Sequence, residues 1–71
     1  MKNLDILHVL DLDKGISASN ICDMLGCSRT DVYRRLRNLV RDGLVADGYR
    51  NSILIFGLTP EGVRYYLEHS V

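Results

Sequence analysis

Five arginines, Arg29, Arg34, Arg35, Arg37 and Arg41, fall between Ser28 and Val45 of a 71-residue chain whose nine basic side chains are balanced by nine acidic ones. A guanidinium is a planar fork of donors that can bond O6 and N7 of guanine at once, or grip a phosphate through two parallel bonds. Counted by segment, the charge is polarised. Ser28 to Ser52 holds those arginines and Arg50 against Asp31, Asp42 and Asp47, an excess of three positive charges that the rest of the chain offsets. The chemistry on offer is recognition of an anion or of base edges, provided that the fold gathers these side chains on one face.

Other chemistries find little support. The thiols of Cys22 and Cys27 are five residues apart, and the only imidazoles, His8 and His69, lie near opposite ends. A zinc site normally takes four ligands in short paired spacings, so no metal is expected. The two cysteines read as reduced, core-filling thiols of a cytoplasmic protein, with a Cys22–Cys27 bridge as the alternative. Paired carboxylates, a nucleophile beside a base and phosphate-cradling glycines are all missing, so neither an enzyme nor a bound cofactor is expected. No apolar run reaches the roughly 20 residues needed to span a bilayer, and "MKNLDILHVL" interrupts its apolar stretch with acid and histidine, unlike a secretion signal.

The elements that must position the arginines follow from periodicity. Asn3 to about Asp13 reads as a first helix with Ile6, Leu7, Val9 and Leu10 on its core face, leaving Leu4, His8 and Leu12 as a second stripe. Gly15 ends it, and Ile16 leads in extended form to Ser17, the N-cap of a short helix with Ala18, Ile21, Cys22 and Leu25 inward. Gly26 supplies a left-handed turn position, and Ser28 with Asp31 makes the Ser-x-x-acid start of a third helix. In that helix Val32, Leu36, Leu39 and Val40 share one side, and Arg29, Thr30, Tyr33, Arg34 and Arg37 another. Arg35 and Arg41 fit a solvated or structural role, and Tyr33 either a rim over the core or a polar contact to a ligand.

From Leu44 the period shortens to that of a hairpin. The Asp47-Gly48 pair signals a tight turn, but that turn would pair Leu44 with Asn51 and leave "ILIFGL" unpartnered. A tip near Arg50 and Asn51, favoured for that reason, pairs Val45 with Phe56, and alternation puts Leu54, Phe56 and Leu58 on one face, Ile53 and Ile55 on the other. "LTPEG" then supplies Thr59 as N-cap and Pro60 as first helical residue of a fourth helix carrying Val63, Tyr66 and Leu67. The fold class expected is mainly α with a β-hairpin (α+β), a single domain spanning 1–71.

Two helices joined by a short Gly-containing turn, the second of them basic, form a helix-turn-helix unit whose second helix can enter the major groove of DNA. Through "ISASNICDMLGCSRTDVYRRLRNLVRDGLV" and the later "LTPEG", the chain resembles the winged helix-turn-helix transcription regulators, particularly small ones akin to the multiple-antibiotic-resistance and arsenic-responsive repressors. The resemblance runs from Leu4 to Leu67. It implies a three-helix core, a wing of two to three strands and a C-terminal helix, with 29–42 as recognition helix. It also implies DNA contacts from Ser28, Arg29, Thr30, Tyr33, Arg34 and Arg37, and from Arg50 and Asn51 at the wing tip. One departure stands out: family wings often carry two or three basic residues, whereas this one has Arg50 alone, preceded by Asp47.

The partner so implied is double-stranded DNA, bound by a sequence-specific regulator, and a repressor because the chain has no room for an activation or sensor domain. The family is usually homodimeric. The Leu4 and Leu12 stripe, the exposed isoleucines and the "VRYYLEHSV" tail are the candidate dimer surfaces, and whether a small-molecule effector is sensed stays open. Two other readings compete: a protein-interaction module built on the same fold, and an architectural or recombination accessory protein that bends DNA with little base preference.

Overall fold

The computed structural model describes residues 2–70, so Met1 and Val71, the outermost residues of the expected 1–71 domain, lie outside the described residues. Along the chain run α1 (Asn3–Val9), β1 (Ile16–Ser17), α2 (Ala18–Leu25), α3 (Arg29–Arg41), β2 (Val45–Arg50), β3 (Ile53–Leu58) and α4 (Pro60–His69). The three strands form one antiparallel sheet in the order β1-β3-β2. This is the winged helix-turn-helix architecture: three helices around a core, a β-hairpin wing backed by a short third strand, and a closing helix.

One apolar cluster holds it together. Ile6 and Leu7 of α1, Ile21 of α2 and Val32, Leu36 and Leu39 of α3 are essentially without solvent contact, and Val45 and Phe56 close the cluster from the sheet. Burial of a side chain of this size contributes about 1.5 to 3 kcal/mol, and it depends on all three helices meeting the hairpin's inner face.

The first helix is shorter than its sequence pattern suggests. It ends at Val9, and Leu10 is extended (ψ 149°) and 4% exposed. The cause is tertiary: once the chain leaves the helix, the Asp11 carbonyl accepts the Leu58 N–H at 2.9 Å, close to where Gly57 lacks a side chain. Leu12 is therefore not on the α1 stripe at all. Leu4 packs against the core, and His8 hydrogen-bonds the Tyr66 hydroxyl of α4, which gives the remaining two stripe positions a place.

The hairpin register also differs. Val45 pairs with Leu58, not Phe56, and Arg50 with Ile53, so the turn is Asn51–Ser52. Both turn residues have positive φ, 51° and 68°, as a two-residue turn of the favoured hand demands. The expected register would have forced Arg50 into that left-handed region, which Asn tolerates far better than Arg. Because the partner shifts by two residues, every side chain keeps its expected face.

Ile16 and Ser17 do more than link helices: they pair with Phe56 and Ile55 as the third strand. Gly15 is needed there because a Cβ would run into the Ile55 side chain, and Gly62 in α4 because a Cβ would meet the Leu44 carbonyl oxygen. Cys22 and Cys27 are both free thiols, and Cys27 Sγ donates to the Leu25 carbonyl.

Candidate nucleic-acid interface

The candidate surface begins at the turn between α2 and α3. Ser17 Oγ accepts the Asn20 N–H at 3.3 Å, and Ser28 Oγ the Asp31 N–H at 3.3 Å, so each helix has its N-cap. Gly26, at φ 66°, reverses the chain between them in the left-handed region that a residue with Cβ adopts at a cost. The Asp31 carboxylate does not turn back toward Ser28 but forward, to Arg34 Nη2 at 2.6 Å. A single capping bond, backed by the favourable placing of an acid at the positive end of the dipole, starts the helix.

Along α3 the expected division of faces is observed. Val32, Leu36 and Leu39 are buried, while Ser28, Arg29, Thr30, Tyr33, Arg34 and Arg37 are exposed and, at 100° per residue, Arg29 to Arg37 occupy a single continuous side. Their local bonds differ. Arg29 Nη2 donates to Ser19 Oγ at 2.6 Å, tying the start of α3 to the first turn of α2. Arg34 is held by Asp31, but both partners are mostly exposed, 67% and 51%, and such a pair contributes only about 0 to 1 kcal/mol, so the guanidinium is easily released. Among the described residues Arg37 has no carboxylate within ion-pair distance.

Of the two arginines set apart in the sequence, only Arg35 lies elsewhere; Arg41, one turn beyond Arg37, falls on the same side at its carboxyl end. Arg35 Nη1 donates to Asn3 Oδ1 of α1 at 3.1 Å and is half-buried, a bond within the fold. Arg41, in the last turn, approaches Asp42 at 3.7 Å.

The wing stands beside α3. Phe56 meets the Tyr33 ring edge-on with centroids 6.5 Å apart, and between α3 and the hairpin opens a cleft of about 260 Å³ lined by Tyr33, Arg37, Val40, Asp47, Leu54 and Phe56. Tyr33 is thus a rim over the core that, at 41% exposure, also reaches the cleft it lines with Arg37. Arg50 and Asn51 are exposed at the tip, but Arg50 Nη2 points to the Gly15 carbonyl at 3.4 Å, on the sheet face away from α3. The eight residues singled out in the sequence therefore fall into a cluster of five on α3 with its N-cap Ser28 and a separate pair on the wing. Sequence reading missed Ser19, which orients Arg29, and the cleft itself, since its lining comes from two elements whose adjacency no local pattern encodes.

Among the described residues no group of three or more His, Cys, Asp or Glu side chains could hold a metal ion, and no helix is long and apolar enough to cross a membrane.

Residues 2–47 match a family model described as a helix-turn-helix domain. No curated protein matches the chain in sequence. Among solved structures, a mutant of MepR from S. aureus superposes with a TM-score of 0.87 at 22% identity, over 96% of this chain and 53% of that one. A mutant of ZitR from Lactococcus lactis gives 0.76 at 20% identity, over 93% of this chain and 49% of that one. A structure described as the predicted DNA-binding transcriptional regulator from E. coli gives 0.78 at 22% identity, over 92% of this chain and 68% of that one. The chain thus spans about half the length of the first two, and identities this low speak for a shared fold.

Proposed function

Since the chain belongs to the helix-turn-helix domain family, we propose that residues 1–71 act as a DNA-binding domain of a sequence-specific transcription regulator, with α3 entering the major groove of double-stranded DNA. The observation that carries this reading is the exposed side of α3 on which Arg29, Thr30, Tyr33, Arg34 and Arg37 are gathered with the N-cap Ser28, alongside the buried stripe of Val32, Leu36 and Leu39. The major groove is about 12 Å wide and a helix with its side chains about 10 to 12 Å, so α3 fits edge to edge. Arg37, with no acidic partner among the described residues, is the residue freest to address a guanine edge; Arg34 joins it by giving up a weak surface pair.

Ser28, Arg29 and Thr30, at the amino end of α3, are assigned to backbone phosphates, where the helix dipole adds its attraction. Arg50 and Asn51 are assigned to the strand or minor groove met by the wing tip. Arg50 gives up only a long bond to a carbonyl in doing so.

The reading extends to a cytoplasmic homodimer acting as a repressor. Leu67 of α4 is 62% exposed and Leu12 54%, apolar area that a second copy would cover. A two-fold dimer would carry two α3 helices to half-sites about one helical turn apart and prefer a roughly palindromic sequence. Gel shift against mixed genomic fragments at low and moderate salt tests the reading. Retention of fragments, with a subset surviving competitor, is the expected result; no retention at either salt would leave the fold serving protein assembly instead.

A further inference from the structure

Three acids lie within the basic segment, and two are engaged: Asp31 with Arg34 and Asp42 with Arg41. Asp47 is exposed and makes no ion pair among the described residues. Its position is fixed by the register, which sets it opposite Phe56 in the middle of the hairpin. Phe56 in turn packs against Tyr33 of α3, so the carboxylate lies on the side of the wing that faces the basic helix. Asp47 and Arg37 are the two charged residues lining the cleft between α3 and the wing, and they carry opposite signs. The nearest arginine on its own strand, Arg50, cannot neutralise Asp47: three residues apart along a strand puts side chains on opposite faces, and Arg50 points to Gly15.

We propose that Asp47 is an affinity-limiting residue, placed so that its carboxylate repels the phosphodiester strand that runs between α3 and the wing and keeps binding to unrelated DNA weak. The inference rests on the reading of α3 as the groove helix. With α3 in the major groove and the hairpin tip at the neighbouring minor groove, one sugar-phosphate strand separates the two elements and lies over the cleft. The α3 wall carries Arg37, whose guanidinium is assigned to a base edge, and Asp47 on the wing wall opposes the strand between them. Phosphates are the same at every step, so this repulsion lowers affinity uniformly and leaves base preference to α3. An acid here suits a protein with a single basic wing residue: the wing then steers the docked complex instead of adding general attraction.

The test compares the full chain with Asp47→Asn, a nearly isosteric change at an exposed position, on a selected fragment and on an unrelated duplex across a salt series. Removal of one like charge facing a phosphate predicts tighter binding to both duplexes by about three- to fivefold at low salt, shrinking as salt rises. The log–log salt slope should steepen by up to about one unit, and the ratio between the two duplexes should hold. The same gain should persist in an Arg37→Ala background, since the repulsion acts on the phosphate; a gain that disappears there would mean that Asp47 acts only by restraining Arg37, and would overturn the proposal. Equal or weaker binding by Asp47→Asn, with an unchanged melting temperature, also overturns it. Failure of the unaltered protein to bind either duplex at any salt would remove the DNA reading itself, and this inference with it.

Discussion

Arg35 donates to Asn3 Oδ1 at 3.1 Å, so the arginine of α3 closest in sequence to Arg34 spends its guanidinium on α1 and not on the exposed side. Arg35 is half-buried beside the first helix while Arg34 and Arg37 are exposed, a separation that follows from 100° of helical rotation per residue.

This divides the arginines into two experimental classes. Arg37→Ala or Arg34→Ala should cost about 1 to 3 kcal/mol of DNA affinity where the side chain pairs with a base edge, and relax preference at that base pair, with little change in melting temperature. Arg35→Ala should do the opposite: loss of about 1 kcal/mol in stability through the missing bond to Asn3, with DNA affinity near that of the parent. Fluorescence anisotropy for binding and thermal melting for stability separate the two.

Gly62 is buried in the first turn of α4 because its α-carbon lies against the Leu44 carbonyl, where a methyl group has no room. Gly62→Ala should destabilise the domain by roughly 1 to 3 kcal/mol or more, the range for forced overpacking, even though alanine is the better helix former. Urea unfolding followed by circular dichroism reads this directly, and a neutral or stabilising result would mean that α4 docks less closely than the structure has it.

The wing turn offers the converse test. Ser52 holds φ at 68°, a region glycine enters freely and serine does not. Ser52→Gly would give the Asn-Gly pair that two-residue turns of this hand prefer, and is expected to stabilise the hairpin by about 1 kcal/mol in a melting experiment. No gain would imply another tip register.

Much of this organisation was legible in the sequence because it is local. Ser17, Ser28 and Thr59 cap their helices as their types and positions suggest, and Gly26 is left-handed as a turn glycine should be. Alternation puts Leu54, Phe56 and Leu58 on one face whatever the exact pairing. What misled was long-range: α1 stops at Val9 because Leu10 and Asp11 are drawn into contact with the end of β3, a partner 47 positions away for Asp11, and no periodicity in "HVLDLDKG" announces it. The hairpin register turned on which two residues bear positive φ, a backbone cost that hydrophobic pairing does not register. The α3 surface was read from one helix alone; the cleft with Asp47 needed the wing's position as well.

Dimerisation has its own check. Leu67 of α4 is 62% exposed among the described residues. If α4 forms the two-fold contact, Leu67→Asp should shift sedimentation toward monomer and weaken binding to a two-half-site duplex far more than to a single half-site, while leaving the fold intact. Sedimentation of the parent as a monomer at all working concentrations, with DNA binding intact, would contradict the dimer.

The most direct test of the central claim is selection of bound duplexes from a random pool, followed by a salt titration on the recovered sequence. The account predicts an enriched, roughly palindromic site with half-sites about one helical turn apart, and a log–log salt slope near −5 to −7, as about three to four phosphates neutralised per protomer of a dimer require. Recovery of no enriched sequence by the unaltered protein, or an enriched sequence bound equally well after Arg34→Ala and Arg37→Ala, would contradict the assignment of α3 as the reading helix.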